Sequence, residues 1–248
     1  MGTVVLVTGA NGFVGRHVVN RLAERNGYRL VATDIHDSAI PLYRTGPAPA
    51  EYYTGNLADA DFIETLRSRE HFDCIIHLAG ILSKADDTHT HRLCFDTNVY
   101  STLNVLQLAR QQHSRILFPS TGLIYGNQES PFNENMTVAP GDFYSLSKKM
   151  AEDLIVLFHK RFDLSYLIFR PAILYGPGQR GAMFVPSALA ALQAEKKFDM
   201  TAGEQKRDFL FVGDFVDALI AAQENDRVCG IFNAGSGRSI TLREAAGS

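Results

Sequence analysis

Thr3-Val4-Val5-Leu6-Val7-Thr8-Gly9-Ala10-Asn11-Gly12-Phe13-Val14-Gly15 reads as a short buried strand, three glycines, and the start of a helix. The strand is short, rich in β-branched residues with an apolar centre, and ends at a glycine. The helix is expected from Phe13 to Arg25, with Val14, Val18 and Leu22 on one stripe. Glycine at 9, 12 and 15 permits a tight turn and lets the backbone approach a pyrophosphate. The helix that follows offers free amides and a positive dipole end to such a group. A glycine triplet alone also suits any strand-to-helix turn, so context carries the reading. The next strand, Arg29 to Asp34, ends on a carboxylate. A carboxylate there accepts hydrogen bonds from the adenosine ribose hydroxyls and repels a 2′-phosphate. The expected cofactor is therefore NAD rather than NADP, held by Gly9, Asn11, Gly12, Phe13, Val14, Gly15 and Asp34. No G-x-x-x-x-G-K-[ST] run is present, which argues against a P-loop NTPase.

Outward from this unit, apolar strands and helical patterns alternate. Helices are expected at Asp61–Arg69, Val99–Gln111 and Tyr144–Arg161, the last with Met150, Leu154, Leu157 and Phe158 on one stripe. Strands are expected at Cys74–Leu78, Arg115–Ser120 and Ser165–Phe169. Continuous apolar strands, each followed by a helix, imply a parallel sheet covered on both faces, an α/β doubly wound fold of Rossmann type. After Pro171 the pattern loosens. Tyr175–Gly181 reads as a loop, with helices at Val185–Ala194 and Asp214–Gln223 and short strands at Arg207–Phe211 and Ile231–Asn233. The expected organisation is a dinucleotide-binding domain over residues 1–171 and a substrate lobe over 172–248, with residues 207–233 returning to the main domain. Thr241-Leu242-Arg243-Glu244 has the form of a capping box four residues before the end, the pattern expected of a shortened chain.

The 248 residues carry 24 Lys and Arg against 27 Asp and Glu, a net charge of −3. That balance gives no electrostatic reason to bind nucleic acid or an anionic membrane. No apolar run is long enough to span a bilayer, and three cysteines make no disulfide framework. A cytoplasmic protein is expected.

Tyr144-Ser145-Leu146-Ser147-Lys148 places a phenol and an ammonium four residues apart on one helix face. The ammonium is expected to favour phenolate and bring the Tyr144 pKa down toward working pH. The pair then serves as base for an alcohol and acid for a ketone. Thr121, just after the strand ending at Ser120, offers a hydroxyl to hold the reacting oxygen.

Together, Thr8 to Gly15, His77-Leu78-Ala79-Gly80, Ser120-Thr121-Gly122-Leu123-Ile124-Tyr125-Gly126, Tyr144 to Lys148 and Arg207-Asp208-Phe209 resemble the extended short-chain dehydrogenase/reductases. More narrowly they resemble the NAD-dependent epimerase/dehydratase branch, which acts mainly on nucleotide sugars. The resemblance implies a catalytic set of Thr121, Tyr144 and Lys148, with Tyr144 and Lys148 also touching the cofactor. It further implies cofactor contacts at Asn56, Leu57, Leu78, Ala79, Gly80 and Asn98, and substrate contacts at Thr121, Arg207 and Arg180. It implies a homodimer through the two long helices, Val99–Gln111 and Tyr144–Arg161.

Departures from the family pattern narrow the chemistry. Gly122 and Leu123 stand where the dehydratases carry an acidic pair, which disfavours 4,6-dehydration. Ile173 stands where many relatives have an asparagine against the nucleotide sugar. His89-Thr90-His91-Arg92-Leu93-Cys94 holds three possible metal ligands without a partner cluster, so it is read as a polar loop and no metal is expected. His77 is read as a packed or hydrogen-bonded residue rather than a base. The expected activity is that of an NAD-dependent nucleotide-sugar epimerase, of the UDP-glucose/galactose 4-epimerase kind, working through a 4-keto intermediate. The alternatives are an NAD(P)H-dependent 4-keto-6-deoxysugar reductase and a non-catalytic dinucleotide-binding scaffold.

Overall fold

The structure is a computed structural model describing residues 2–37, 51–83, 85–180, 183–198 and 200–247. Seven strands form one wholly parallel sheet: β1 (Thr3–Thr8), β2 (Tyr28–Asp34), β3 (Glu51–Thr54), β4 (Cys74–His77), β5 (Arg115–Pro119), β6 (Tyr166–Pro171) and β9 (Gly230–Ala234). Their order is β3-β2-β1-β4-β5-β6-β9, so the winding reverses between β1 and β4. A smaller sheet joins β7 (Ile173–Tyr175), β8 (Lys206–Phe211) and β10 (Ser239–Thr241), with β7 parallel and β10 antiparallel to β8.

Successive strand residues point to opposite faces, and here both faces are dry. Leu6, Ile75, Ile116, Phe118 and Ile168 pack under α2 (Ala60–Arg69), α4 (Ser101–Gln112) and α5 (Phe143–Phe162). Val5, Val7, Ile76, Leu117 and Leu167 pack under α1 (Phe13–Ala23) and α7 (Val212–Glu224), through Val18, Leu22, Phe215 and Leu219. This continuous burial is why the strands read as unbroken apolar runs. Among the described residues, no helix is long and apolar enough to cross a membrane.

Four local readings change. The segment read as a polar loop is a helix, α3 (Thr88–Phe95), capped by the Asp87 carboxylate, which accepts from Thr90 N at 2.9 Å. It buries only Thr90 and Cys94, one turn apart, so its apolar stripe was too thin to register. It continues through a π-helical turn, Asp96–Tyr100, into α4. Strand β7 claims Tyr175 from the expected loop, and β3 was not foreseen at all, since Glu51-Tyr52-Tyr53-Thr54 buries none of its residues fully. In α5 the expected stripe is divided. Phe158 is buried with Ala151 and Ile155, whereas Met150 and Leu157 face outward. The last helices are α6 (Phe184–Gln193) and α8 (Leu242–Gly247). The capping box forms at α8, with Thr241 N donating to Glu244 Oε2 and Glu244 N to Thr241 Oγ1.

Candidate active site

Ligands of open α/β sheets bind beyond the carboxyl ends of the strands, at the point where the strand order reverses. The predicted site residues follow those ends: Gly9–Gly15 after β1, Asp34 at β2, Asn56 and Leu57 after β3, Leu78–Gly80 after β4 and Thr121 after β5.

The glycine turn is tight. Gly9 has φ +63°, and a Cβ there would lie 2.6 Å from Ala79 N. A Cβ on Gly15 would lie 2.1 Å from Gly9 O, so that glycine lets α1 approach the strand. At Gly12, by contrast, a Cβ would meet nothing closer than Gly9 O at 3.0 Å, and its outer side is open. Helix α1 has no side-chain cap and no acid in its first turn. Asp34 accepts from Asn11 N at 2.9 Å and His36 N at 3.1 Å. Asn11 Nδ2 in turn donates to Tyr52 OH at 2.7 Å. The phenol of Tyr52 is pushed up to about 12 by burial and by the charges of Asp34 and Asp37. Asn56 is exposed and caps the turn toward α2, its Oδ1 accepting from Ala58 N, while Leu57 is buried.

The opposite wall is held by a chain of hydrogen bonds. Thr8 Oγ1 accepts from the amides of Leu78 and Ala79, both at 3.1 Å. Thr102 Oγ1 donates to Asn98 O at 2.7 Å, so it accepts from His77 Nε2, 3.1 Å away. That leaves His77 Nδ1 to accept from the Thr8 hydroxyl at 2.8 Å. His77 is wholly buried, and burial, aided by the Lys148 charge, pulls its pKa down to about 3. It is a neutral tie between strands and α4. Asn98, on the π-helical turn, accepts from Ile81 N at 2.8 Å and donates to Ile81 O and Ser147 Oγ. It therefore shapes the Leu78–Gly80 loop from behind and fastens it to α5. A π-helical turn at such a place is a common mark of function.

Thr121 acts on Tyr144. The Thr121 hydroxyl hydrogen-bonds the Tyr144 phenol, which favours the ionised form, but burial outweighs it and pushes the phenol up to about 12. Asp142 and Cys94 act in the same upward direction. This reverses the sequence expectation of a lowered Tyr144 pKa. The physical reason is where the ammonium points: Lys148 Nζ lies 3.8 Å over the Phe118 ring on β5. Lys148 is buried, and its pKa is pulled down to about 7 by desolvation, opposed by the carboxylate of Glu152 one turn on. Glu152 is itself buried and paired with Arg170, at 2.8 Å and 3.1 Å. Arg170 Nη1 also donates to Tyr125 OH.

The two substrate arginines are not brought together. Arg207 is exposed on β8, donating to Lys206 O at 2.7 Å. Arg180 sits on the loop after β7, whose Pro177 and Gly178 carbonyls meet His17 and Arg16 of α1. Sequence reasoning passed over Arg16, Glu152, Arg170 and Ser120. Their signal is burial of polar groups, which sequence spacing does not carry.

The residues fit a dinucleotide. The open side of Gly12 is a cradle beside an uncapped helix end, and Ser120 Oγ is buried at the β5 edge without a hydrogen-bond partner among the described residues. The sequence profile of the NAD dependent epimerase/dehydratase family matches residues 5–235. The chain is 30% identical to the dTDP-4-dehydro-6-deoxyglucose reductase of Escherichia coli, over 97% of this chain and 78% of that protein. Among solved structures, the UDP-glucose 4-epimerase of Thermotoga maritima with UDP-glucose superposes with a TM-score of 0.86 at 27% identity, covering 99% of this chain and 81% of that one. The UDP-glucose 4-epimerase of Thermus thermophilus with NAD also gives a TM-score of 0.86, at 26% identity, covering 99% and 84%. With the motifs in order on a doubly wound sheet and the profile matching nearly end to end, the chain belongs to the NAD dependent epimerase/dehydratase family, a family of enzymes whose cofactor is NAD.

Proposed function

We propose that this protein is an NAD-dependent nucleotide-sugar 4-epimerase. The observation that carries the reading is that the Thr121 hydroxyl acts on the Tyr144 phenol beyond the carboxyl end of β5, with Lys148 one turn along the same helix. The likeness to the two UDP-glucose 4-epimerases supports it. NAD, when bound, accepts a hydride from the sugar carbon and returns it. Tyr144 Oη, ionised with the help of the bound cofactor's positive charge, would take the proton of the sugar hydroxyl and give it back when the ketone is reduced on its other face. Thr121 holds both the phenol and the reacting oxygen. Gly12, Phe13 and Val14 would hold the cofactor diphosphate, Asp34 the adenosine ribose, Leu78–Gly80 the opposite wall, and Lys148 the nicotinamide ribose. Arg207, an exposed cation on β8, is assigned to the substrate diphosphate. A reductase reading is favoured by the likeness to the Escherichia coli enzyme; it uses the same three residues once per turnover.

The test is Tyr144→Phe. Removing the proton-transfer group is expected to lower turnover of UDP-galactose by about 10²–10⁴-fold. NAD, assayed after denaturing the protein, should remain bound. A variant that turns over at the wild-type rate overturns the assignment of Tyr144.

A further inference from the structure

Arg16 is 8% exposed, on the first turn of α1. Its guanidinium reaches back to Gly12 O and across to Gly178 O, both at 3.5 Å, the outer limit of a hydrogen bond. Among the described residues, no carboxylate acts on it; the charge that does is that of another cation, Arg180. Burial and Arg180 together hold its pKa below the ordinary arginine value. A buried charge without a counter-charge is costly, and the charge of Arg180 adds repulsion. The same corner holds the uncapped amino end of α1, with no acid in its first turn. Three positive features therefore act in one corner, and among the described residues no anionic group offsets them.

We infer that Arg16 and Arg180 form a clamp on the diphosphate of the bound dinucleotide, with the loop from Gly176 to Arg180 acting as a strap across the amino end of α1. The inference rests on the NAD-binding reading and deepens it. A planar guanidinium grips a phosphate with two parallel hydrogen bonds, and a dianion removes the Arg16–Arg180 repulsion. The strap is already fastened on its near side, by His17 Nε2 at 2.9 Å from Pro177 O. Arg180 itself is exposed at the strap's end, free to turn onto the phosphate. In this arrangement Arg180 serves the cofactor, while Arg207 remains for the substrate. The strap follows β7 of the smaller sheet, so the clamp also ties that sheet to the cofactor.

The test is binding, not turnover. The whole chain, stripped of nucleotide on charcoal, is titrated with ADP-ribose, adenosine and UDP, as wild type, Arg16→Gln, Arg180→Gln and the double variant. Each single variant should lose about tenfold or more in ADP-ribose affinity, the range of a charge-assisted hydrogen bond. Adenosine and UDP affinities should stay unchanged. The double variant should lose less than the product of the two single losses, because both groups grip one dianion. Arg180→Gln alone decides the matter if Arg16→Gln fails to fold, since Arg180 is exposed. The clamp is overturned if Arg180→Gln weakens UDP and leaves ADP-ribose untouched, or if neither variant changes ADP-ribose affinity. A wild-type chain that binds no ADP-ribose instead overturns the dinucleotide reading beneath it.

Discussion

Tyr144 and Lys148 show what spacing reveals and what it hides. Their separation by one helical turn was legible, because four residues fix a shared face. The direction of the Tyr144 shift was not, because it follows from tertiary burial and from Lys148 Nζ turning onto the Phe118 ring. The Lys148 shift has a consequence for stability. Its folded pKa of about 7 lies below the ordinary 10.5, so between those values the unfolded chain binds the extra proton. Stability due to this group must therefore rise with pH from about 7 upward. Denaturant unfolding at pH 7 and pH 9 should show the wild type gaining on Lys148→Met over that interval. An unchanged difference would mean that Lys148 is solvated. Gly9 gives a second residue-scale prediction. With φ at +63° and Ala79 N in the way of a Cβ, Gly9→Ala should destabilise by roughly 1–3 kcal/mol or more, seen as a lowered Tm. A variant with wild-type Tm would show the turn to be relaxed.

Helix α5 is the element on which the site depends most. One face of it carries Tyr144, Lys148 and Glu152 at successive turns, with Ser147, Ala151, Ile155 and Phe158 beside them. The sequence showed an apolar stripe on this helix, but Met150 and Leu157 in it point outward. Binary patterning failed because the inner face mixes apolar residues with buried polar ones that are satisfied by partners on other elements. The strongest of those links is Glu152 to Arg170 of β6. Removing one member of a buried pair leaves the other charge unpaired, which costs about 3–5 kcal/mol. Glu152→Gln and Arg170→Met should each show that loss in denaturant unfolding, and the double variant should be less destabilised than the sum. Full additivity would mean the pair is not coupled. The fold's long elements were legible for the opposite reason. Strands β1, β4 and β5 are dry on both faces, so their composition alone announced them, while α3, with two buried residues, and β3, with none fully buried, left no such trace.

At the scale of the molecule, the parallel order β3-β2-β1-β4-β5-β6-β9 gathers residues from positions 9 to 148 along one edge of the sheet. The motifs at Thr8–Gly15, His77–Gly80 and Ser120–Gly126 were legible as a site because each stands at the end of a strand, while Tyr144 to Lys148 reaches them from α5. The clamp arginines were not, because only the folded chain brings the loop after β7 to α1. On the outer flank, Val99, Met150, Leu154 and Leu157 line a shallow groove with Asp153, an apolar face on the helices expected to pair two copies. We propose a homodimer through this face. Leu157→Glu should then yield monomers in sedimentation velocity; a wild-type chain that sediments as a monomer contradicts it. The account as a whole stands on one reaction. The purified protein, given UDP-galactose and no added cofactor, is assayed for UDP-glucose, and its bound nucleotide is released and identified. The account predicts interconversion without net oxidation or reduction, and bound NAD close to one per chain. Turnover of a 4-keto sugar nucleotide at the expense of added NADPH, with no interconversion of the UDP-hexoses, would contradict it.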